Sequence, residues 1–304
     1  MTGAELQRGL PDVPRPTGMV QPAGEQGRRA LAAIDKGRLG DAEQHVAAMP
    51  EESPVDRAWR LLLRSALAAR GDDLSLAKAL LLEALSVYES VETQAASEST
   101  AEELRVVALV YEKLGWVYRR QDRPPDALAA HSRAFVIRRE CGSLEEVWET
   151  ATSLGVDADL AGRYVDGQSW HRFAVDVGKK AAEEPGKKET IAWTNLSSSL
   201  AAAGGYNQAV EAARSAWKCW LDHDMGHINA ARSELNLGHM LLKHAESLSA
   251  TNADQAKGVL DEAAARLESA LEGLLAFGPI AGADATWCSE QVDFVRRLRE
   301  TLES

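Results

Sequence analysis

Apolar residues recur at steps of three and four from about residue 25 onward, which is the spacing of one face of an α-helix. One stripe runs along 104–120 and comprises Leu104, Val107, Ala108, Tyr111, Leu114, Gly115 and Tyr118. A second runs along 190–203 and comprises Trp193, Leu196, Leu200 and Ala203. Neither stretch alternates apolar and polar residues with a period of two, so the pattern predicts helices there and no strands.

Turn residues interrupt this periodicity and divide the chain into short helices. Gly204-Gly205 supplies a left-handed backbone after one helix, and Asp122-Arg123-Pro124-Pro125 ends a helix and places proline in the first turn of the next. Short connections make sequence neighbours antiparallel. The helices are predicted near 25–36, 40–49, 56–70, 73–91, 100–120, 124–139, 144–161, 164–183, 188–203, 206–222, 227–247, 254–277 and 284–302.

An internal repeat appears when the segments 111–135, 151–175 and 193–217 are aligned without gaps. Each segment has a leucine followed by a small residue: Leu114-Gly115, Leu154-Gly155 and Leu196-Ser197. Further small residues follow in the second helix of each segment: Ala127 and Ala134, Gly167 and Ala174, Ala209 and Ala216. We expect the first small residue to lie opposite the second, because a bulky side chain at either place would push the two helices apart.

This pattern resembles the tetratricopeptide repeat (TPR) family, and its spacing is similar to that of the long repeats of kinesin light chain and many bacterial repeat proteins. The resemblance implies an all-α fold, a right-handed α-solenoid of antiparallel helix pairs (a TPR superhelix) with a C-terminal capping helix. About six helix pairs and the capping helix would occupy residues 25–304. Residues 1–24, rich in proline and glycine, are predicted to form a flexible N-terminal leader.

The resemblance also places the first helix of each pair on a concave face, with the residue before each leucine turned toward the groove. Asparagine occupies two such positions, although it is a poor helix-interior residue. In related repeat proteins such asparagines bind the backbone of an extended peptide. The other candidates combine cations with an aromatic ring, which suits an acidic or amphipathic peptide. The candidate peptide-binding groove is Lys113, Trp116, Arg120, Asn195, Arg232, Asn236, His239 and Lys243. A solvated helix face would account for the same residues.

Charge and composition exclude several classes of function. The net charge of -12 opposes binding of nucleic acid or an anionic membrane, and no run of about 18 apolar residues could span a membrane. Three cysteines without paired spacing predict free thiols in a cytoplasmic protein.

Catalytic and metal-binding signals are weak. None of the GxSxG, GxxxxGK[ST] or HExxH motifs occurs, so we expect neither an enzyme nor a cofactor. The stretch 222–227 contains His223, Asp224 and His227, but Gly226 places it in a turn, where two histidines four apart need not share a direction. A turn that caps the next helix is the favoured interpretation over a metal site.

Two functions follow from this sequence. The first is an adaptor that binds a peptide or a protein partner in its concave groove. The alternative is a peptide-sensing regulator that controls a partner effector. Regulators of that kind usually have an additional effector module, and this sequence shows no DNA-binding or catalytic segment. Neither the identity of the partner nor the oligomeric state follows from the sequence.

Overall fold

The computed structural model describes residues 19–22, 24–95, 100–181, 185–223 and 227–303. These residues contain helices and turns and no strand. Their α-helices are α1 (Glu25–Asp35), α2 (Leu39–Ala47), α3 (Pro54–Arg70), α4 (Leu74–Ala95), α5 (Ala101–Arg120), α6 (Pro124–Cys141), α7 (Leu144–Leu160), α8 (Tyr164–Gly178), α9 (Pro185–Ala202), α10 (Tyr206–Asp222), α11 (His227–Ser249), α12 (Ala253–Leu275) and α13 (Gly282–Glu303). A short 3-10 helix, Gly278–Ala281, precedes α13.

The prediction of an all-helical chain is confirmed, and each predicted helix corresponds to one of these thirteen. The largest difference in boundary is at α8, which was expected to continue to residue 183 and ends at Gly178. A Cβ atom at Gly178 would lie 3.0 Å from the backbone nitrogen of Glu189, so the next helix approaches the end of α8 closely.

The helices form two compact units, Met1–Ala161 and Gly162–Ser304. Unit 1 contains the pairs α1/α2, α3/α4 and α5/α6, followed by α7, and the first helices α3 and α5 also contact each other. Its apolar core includes Trp59, Leu62, Leu81, Val110 and Val117.

Unit 2 contains α8, the pairs α9/α10 and α11/α12, and the final helix α13. The first helices are again neighbours, α9 contacting α11 and α11 contacting α13. Its core includes Leu196, Leu241, Leu260, Leu267 and Cys288.

The turns within four helix pairs share one backbone geometry. One residue in each turn has a positive φ, and the following N–H donates to a carbonyl five residues earlier, which is the hydrogen bond of a Schellman motif. The residues with positive φ are Gly37 (71°), Asp72 (63°), Asp122 (55°) and Gly204 (81°). Aspartate tolerates this conformation better than most side chains, which explains how two of the turns form without glycine.

The small residues of the repeat are buried as predicted, but the groups that they face differ from the expectation. Gly115 packs against the imidazole of His131, one helical turn beyond the expected Ala127, and a Cβ at position 115 would lie 2.5 Å from His131 Cε1. Gly238 packs in the same way against Leu267, with a Cβ at 2.7 Å from Leu267 Cγ. The glycine therefore admits a whole side chain from the second helix.

The end of the predicted leader packs on unit 1. Val20 is buried, and its backbone N–H donates to Glu146 Oε1 at 2.9 Å. Pro22 is also buried and contacts Gly27 of α1. Residues 1–18 and 23 lie outside the described part of the chain, so a flexible leader there stays a prediction.

We predict that Gly115→Ala lowers the free energy of unfolding by about 1–3 kcal/mol, because the added methyl group overlaps the His131 ring. Urea denaturation followed by circular dichroism measures the change. Gly40→Ala is the matched control, since a Cβ at Gly40 meets no atom within 4 Å and the helix propensity of alanine favours the variant. Equal unfolding midpoints for the two variants would contradict the close approach at Gly115.

Candidate peptide-binding site

A cavity of about 630 Å³ opens in unit 1 among α1, α3, α4 and α5. Most of its lining is apolar, with leucine, isoleucine, valine and two tryptophan side chains on four helices. These apolar residues are Leu31, Ile34, Trp59, Leu62, Leu63, Leu81, Leu109, Trp116 and Val117. A cavity of this size and composition is typical of a site that holds a small ligand or a peptide side chain.

Lys113, Trp116 and Arg120 all line this cavity. They lie three and four residues apart on α5, so one face of the helix presents all of them. The Trp116 side chain is 38% exposed, and the Arg120 guanidinium lies over its ring, 5.2 Å from the centroid. Arg120 Nη2 also lies 3.1 Å from Asp72 Oδ1. The structure thus brings together three of the residues predicted from the sequence.

Trp59 of α3 was missing from the predicted site, although it lines the same cavity. It is 4% exposed, and its indole N–H has no acceptor among the described residues. A buried donor without an acceptor costs about 1–3 kcal/mol. The weaker repeat pattern upstream of residue 100 is the reason that the sequence did not single out this tryptophan.

The rim of the cavity has charges of both signs. Arg70 joins Lys113 and Arg120 on the positive side, while Asp35 and Asp72 are the acidic residues. The rim therefore has one more cation than anion, although the whole chain has a net charge of -12.

The remaining predicted residues lie in unit 2, where most of them make contacts with neighbouring side chains. Arg232 Nε donates to Asp284 Oδ2 at 2.7 Å, and His239 Nδ1 lies 3.0 Å from Gln291 Oε1. Both partners belong to α13, so these residues attach α11 to the final helix. Burial lowers the pKa of His239, and its ring is neutral at neutral pH.

The two predicted asparagines lie on adjacent first helices, Asn195 on α9 and Asn236 on α11. Asn236 Nδ2 donates to Ser197 Oγ at 3.1 Å, while Asn195 is half-buried. Lys243 Nζ donates to Glu246 Oε2 at 2.9 Å. The amide of Asn236 keeps a second N–H and its carbonyl oxygen for another partner, so its proposed role in peptide binding stays a prediction.

A buried ion-pair network lies on the other side of α5, adjacent to Lys113. Arg138 of α6 is fully buried, and its Nη1 contacts Glu112 Oε2. The same Nη1 donates to Thr150 Oγ1 at 2.7 Å and to the Glu146 carbonyl at 3.1 Å on α7. Three helices are therefore joined through one guanidinium group.

Glu112 remains ionised within this network. Burial by itself would raise the pKa of Glu112, but the charges of Arg138 and Lys113 outweigh it and hold the pKa at about 2. Glu112 Oε1 accepts from Lys113 Nζ at 3.1 Å. An ionised carboxylate thus pairs with Lys113, which is one of the cations that line the cavity.

Glu149 of α7 lies beside the same arginine, with its Oε2 3.6 Å from Arg138 Nη1. Burial and the charge of the nearby Glu112 carboxylate together raise its pKa to about 7, although Lys113 and Arg138 oppose the rise. The network thus contains one carboxylate that stays charged and one that titrates near neutral pH.

His131 is a structural residue within a second buried cluster. Its Nδ1 contacts Asp157, and its Nε2 lies 3.1 Å from the Glu112 carbonyl. Arg119 Nε donates to the other Asp157 oxygen at 2.6 Å. The burial and the two contacts of His131 support a structural role.

No family model matches the chain, and no curated protein matches it in sequence. Solved structures do match it. BtubC (BKLC) from P. vanneervenii has a TM-score of 0.59 at 15% identity, with 84% of this chain and 93% of that chain covered. A second match is a Signal Transduction ATPase with Numerous Domains (STAND) protein from Pyrococcus horikoshii, which has a tetratricopeptide repeat sensor. Its TM-score is 0.62 at 14% identity, with 91% of this chain and 44% of that chain covered. A Rap protein complexed with Competence and Sporulation Factor has a TM-score of 0.51 at 11% identity, with 91% of this chain and 86% of that chain covered.

The chain has the TPR-like repeat fold. At this level of identity the likeness establishes the fold alone, and the TPR fold is shared by proteins with unrelated functions. Among the described residues, no helix combines the length and the apolar character that crossing a membrane requires.

We predict that Arg138→Ala destabilises the TPR fold by about 3–5 kcal/mol, because it leaves the Glu112 carboxylate buried without its principal counter-charge. Thermal and urea unfolding measure the loss. Arg38→Ala serves as the control, since Arg38 pairs with Asp41 at the exposed surface and the loss of this pair is expected to cost less than about 1 kcal/mol. A mild effect of Arg138→Ala, similar to that of the control, would show that the network is not a stabilising element.

Glu149 should make stability depend on pH in the neutral range. Its folded pKa of about 7 lies above the ordinary value of 4.5, so ionisation between these values disfavours the folded state as the pH rises. We expect Glu149→Gln to match the wild type near pH 4.5 and to be about 1 kcal/mol more stable at pH 8, a figure reduced for the partial exposure of the side chain. Urea unfolding at both pH values measures this, with the exposed Glu83→Gln as control. If Glu149→Gln were less stable than the wild type at pH 8, the raised pKa of Glu149 would be wrong.

Proposed function

We propose that this protein is an adaptor that binds a peptide segment of a partner protein in the unit 1 cavity. The observation that supports the proposal most directly is that apolar cavity, which holds a half-exposed Trp116 and a buried Trp59 and is bordered by the cations Lys113 and Arg120. Tryptophan and arginine are the residue types that most often dominate binding energy at interfaces.

The lining indicates an amphipathic peptide as the ligand. An apolar side chain of the peptide would fill the space between the α3 and α5 side chains and contact Trp59 and Trp116. A carboxylate of the peptide would then pair with Lys113 or Arg120 at the rim. Because Arg120 already contacts Asp72, the peptide carboxylate has to compete with that ion pair. The apolar side chain would therefore supply more affinity than the acidic one.

Unit 1 is the favoured location of the peptide site because Lys113, Trp116 and Arg120, which the sequence predicts as site residues, line an accessible cavity there. In unit 2, Arg232 and His239 already contact α13, and Lys243 contacts Glu246. Asn195 and Asn236 are the residues of unit 2 that would extend a peptide site there.

A peptide-sensing regulator is the second candidate. The Rap protein complexed with Competence and Sporulation Factor provides an example of a ligand-bound protein with a similar fold. In that case a peptide would change the affinity of this protein for a separate effector, whereas an adaptor would bind its partner without such a change. Measuring effector binding with and without the peptide distinguishes the two.

We expect Trp116→Ala to weaken peptide binding by about tenfold or more, since truncation of a central aromatic residue at an interface commonly costs more than 1 kcal/mol. The probe is a peptide selected from a displayed random library on the wild-type protein, and its affinity is measured by isothermal titration calorimetry. Lys113→Ala should weaken binding of an acidic selected peptide, with a larger effect at low salt.

Trp287→Ala is the matched control, because Trp287 of unit 2 is 39% exposed against 38% for Trp116. It should change the affinity less than about twofold. If Trp287→Ala or the combined Asn195→Ala and Asn236→Ala variant abolished binding while Trp116→Ala did not, the site would lie in unit 2 and the present assignment would be wrong.

A further inference from the structure

Three possible metal ligands of different chemistry meet where α9 and α10 pack together. Glu189 comes from the first turns of α9, Cys219 from the last turn of α10, and His223 is the residue that caps α10. One ligand atom from each residue lies within 4.8 Å of the other two. Cys219 and His223 are four residues apart, which places them on the same face at the end of the helix.

The backbone of α9 closes one side of this cluster. Cys219 Sγ donates to the Gly186 carbonyl at 3.4 Å. The His223 ring lies against Gly186, where a Cβ atom would be only 2.4 Å from His223 Cδ2. Cys219 is buried while His223 is exposed, so the cluster has a buried inner side and a side that faces solvent.

Neighbouring side chains hold the Glu189 carboxylate. Trp193 Nε1 donates to Glu189 Oε1 at 3.1 Å, and Lys179 Nζ lies 3.7 Å from the same oxygen. Neither contact uses Oε2, so the carboxylate keeps a second oxygen for a ligand. Outer hydrogen bonds of this kind orient the ligands of metal sites.

We propose that Glu189, Cys219 and His223 bind one divalent cation of the zinc type, with water completing the coordination. Sulfur, imidazole and carboxylate donors together suit Zn²⁺, whereas Ca²⁺ and Mg²⁺ prefer oxygen ligands alone. Three protein ligands with an open fourth position are a recurring zinc arrangement. The sequence singled out His223 together with Asp224 and His227, and the structure instead places Glu189 and Cys219 beside it. Residues 224–226, and with them Asp224, lie outside the described part of the chain.

Binding requires a small local closure. Metal–ligand distances of about 2.0–2.3 Å place the ligand atoms of a tetrahedral site roughly 3.3–3.6 Å apart. The exposed His223, at the end of its helix, is the ligand with most freedom to move inward. The Cys219 S–H bond breaks as the S–metal bond forms, and the proton passes to water. The bound cation would join the start of α9 to the end of α10.

Cobalt(II) tests the site directly, because a thiolate ligand gives a sulfur-to-cobalt charge-transfer absorption in the near ultraviolet. The full chain, without a polyhistidine tag and after treatment with a chelator and dialysis, is titrated with Co²⁺. We expect this absorption to saturate at about one equivalent and to disappear when Zn²⁺ is added. A folded wild-type protein that shows no such absorption at micromolar concentrations would overturn the proposal.

Variants assign the ligands. Cys219→Ser should remove the absorption. Cys288→Ser and Cys141→Ser should keep it, and Cys288 is the matched control because it is a buried thiol of the same unit. His223→Ala, at an exposed position that tolerates change, should weaken Zn²⁺ binding by at least the roughly 10- to 100-fold that loss of an outer hydrogen-bond partner costs. Should Cys219→Ser fail to fold by circular dichroism, His223→Ala decides alone. Unchanged zinc affinity in His223→Ala, or loss of the absorption in Cys141→Ser, would refute the assignment.

Discussion

The close approach of two helices at a glycine is the constraint on which each unit depends. At Gly115 and at Gly238 the first helix of a pair has no side chain, and a residue of the second helix occupies the space. The helices can therefore pack with their axes near each other, and the flanking apolar side chains form the core. A single methyl group would separate the helices and weaken all the contacts beyond them.

Helix α5 shows how this packing positions the surface that we propose as the peptide site. Glu112, Gly115 and Arg119 are directed to the neighbouring helices α6 and α7, where the ion pairs and His131 hold them. The residues one position later, Lys113, Trp116 and Arg120, have the same spacing and line the cavity. One face of the helix is thus fixed by packing and buried charge, and the adjacent face is held toward the cavity in a defined orientation.

The two units use equivalent first-helix positions differently. In unit 1 they border a cavity, whereas in unit 2 Arg232 and His239 contact Asp284 and Gln291 of α13. These contacts hold the Arg232 and His239 side chains against α13. Unit 2 also contains Glu234 of α11, which pairs with Arg266 of α12 at 3.1 Å.

The sequence by itself determined the helices, the repeat and the identity of the tightly packed positions, because helical periodicity and the need for small residues are local properties that each segment expresses. It also placed Lys113, Trp116 and Arg120 among the candidate residues of a peptide-binding groove. Only the tertiary structure decided that Trp59 joins them, that Gly115 faces His131 rather than Ala127, and that Glu189 and Cys219 meet His223. These outcomes depend on the rotation and stagger of one helix against another, which are set by the sum of many side-chain contacts between distant segments and have no signature within a single segment.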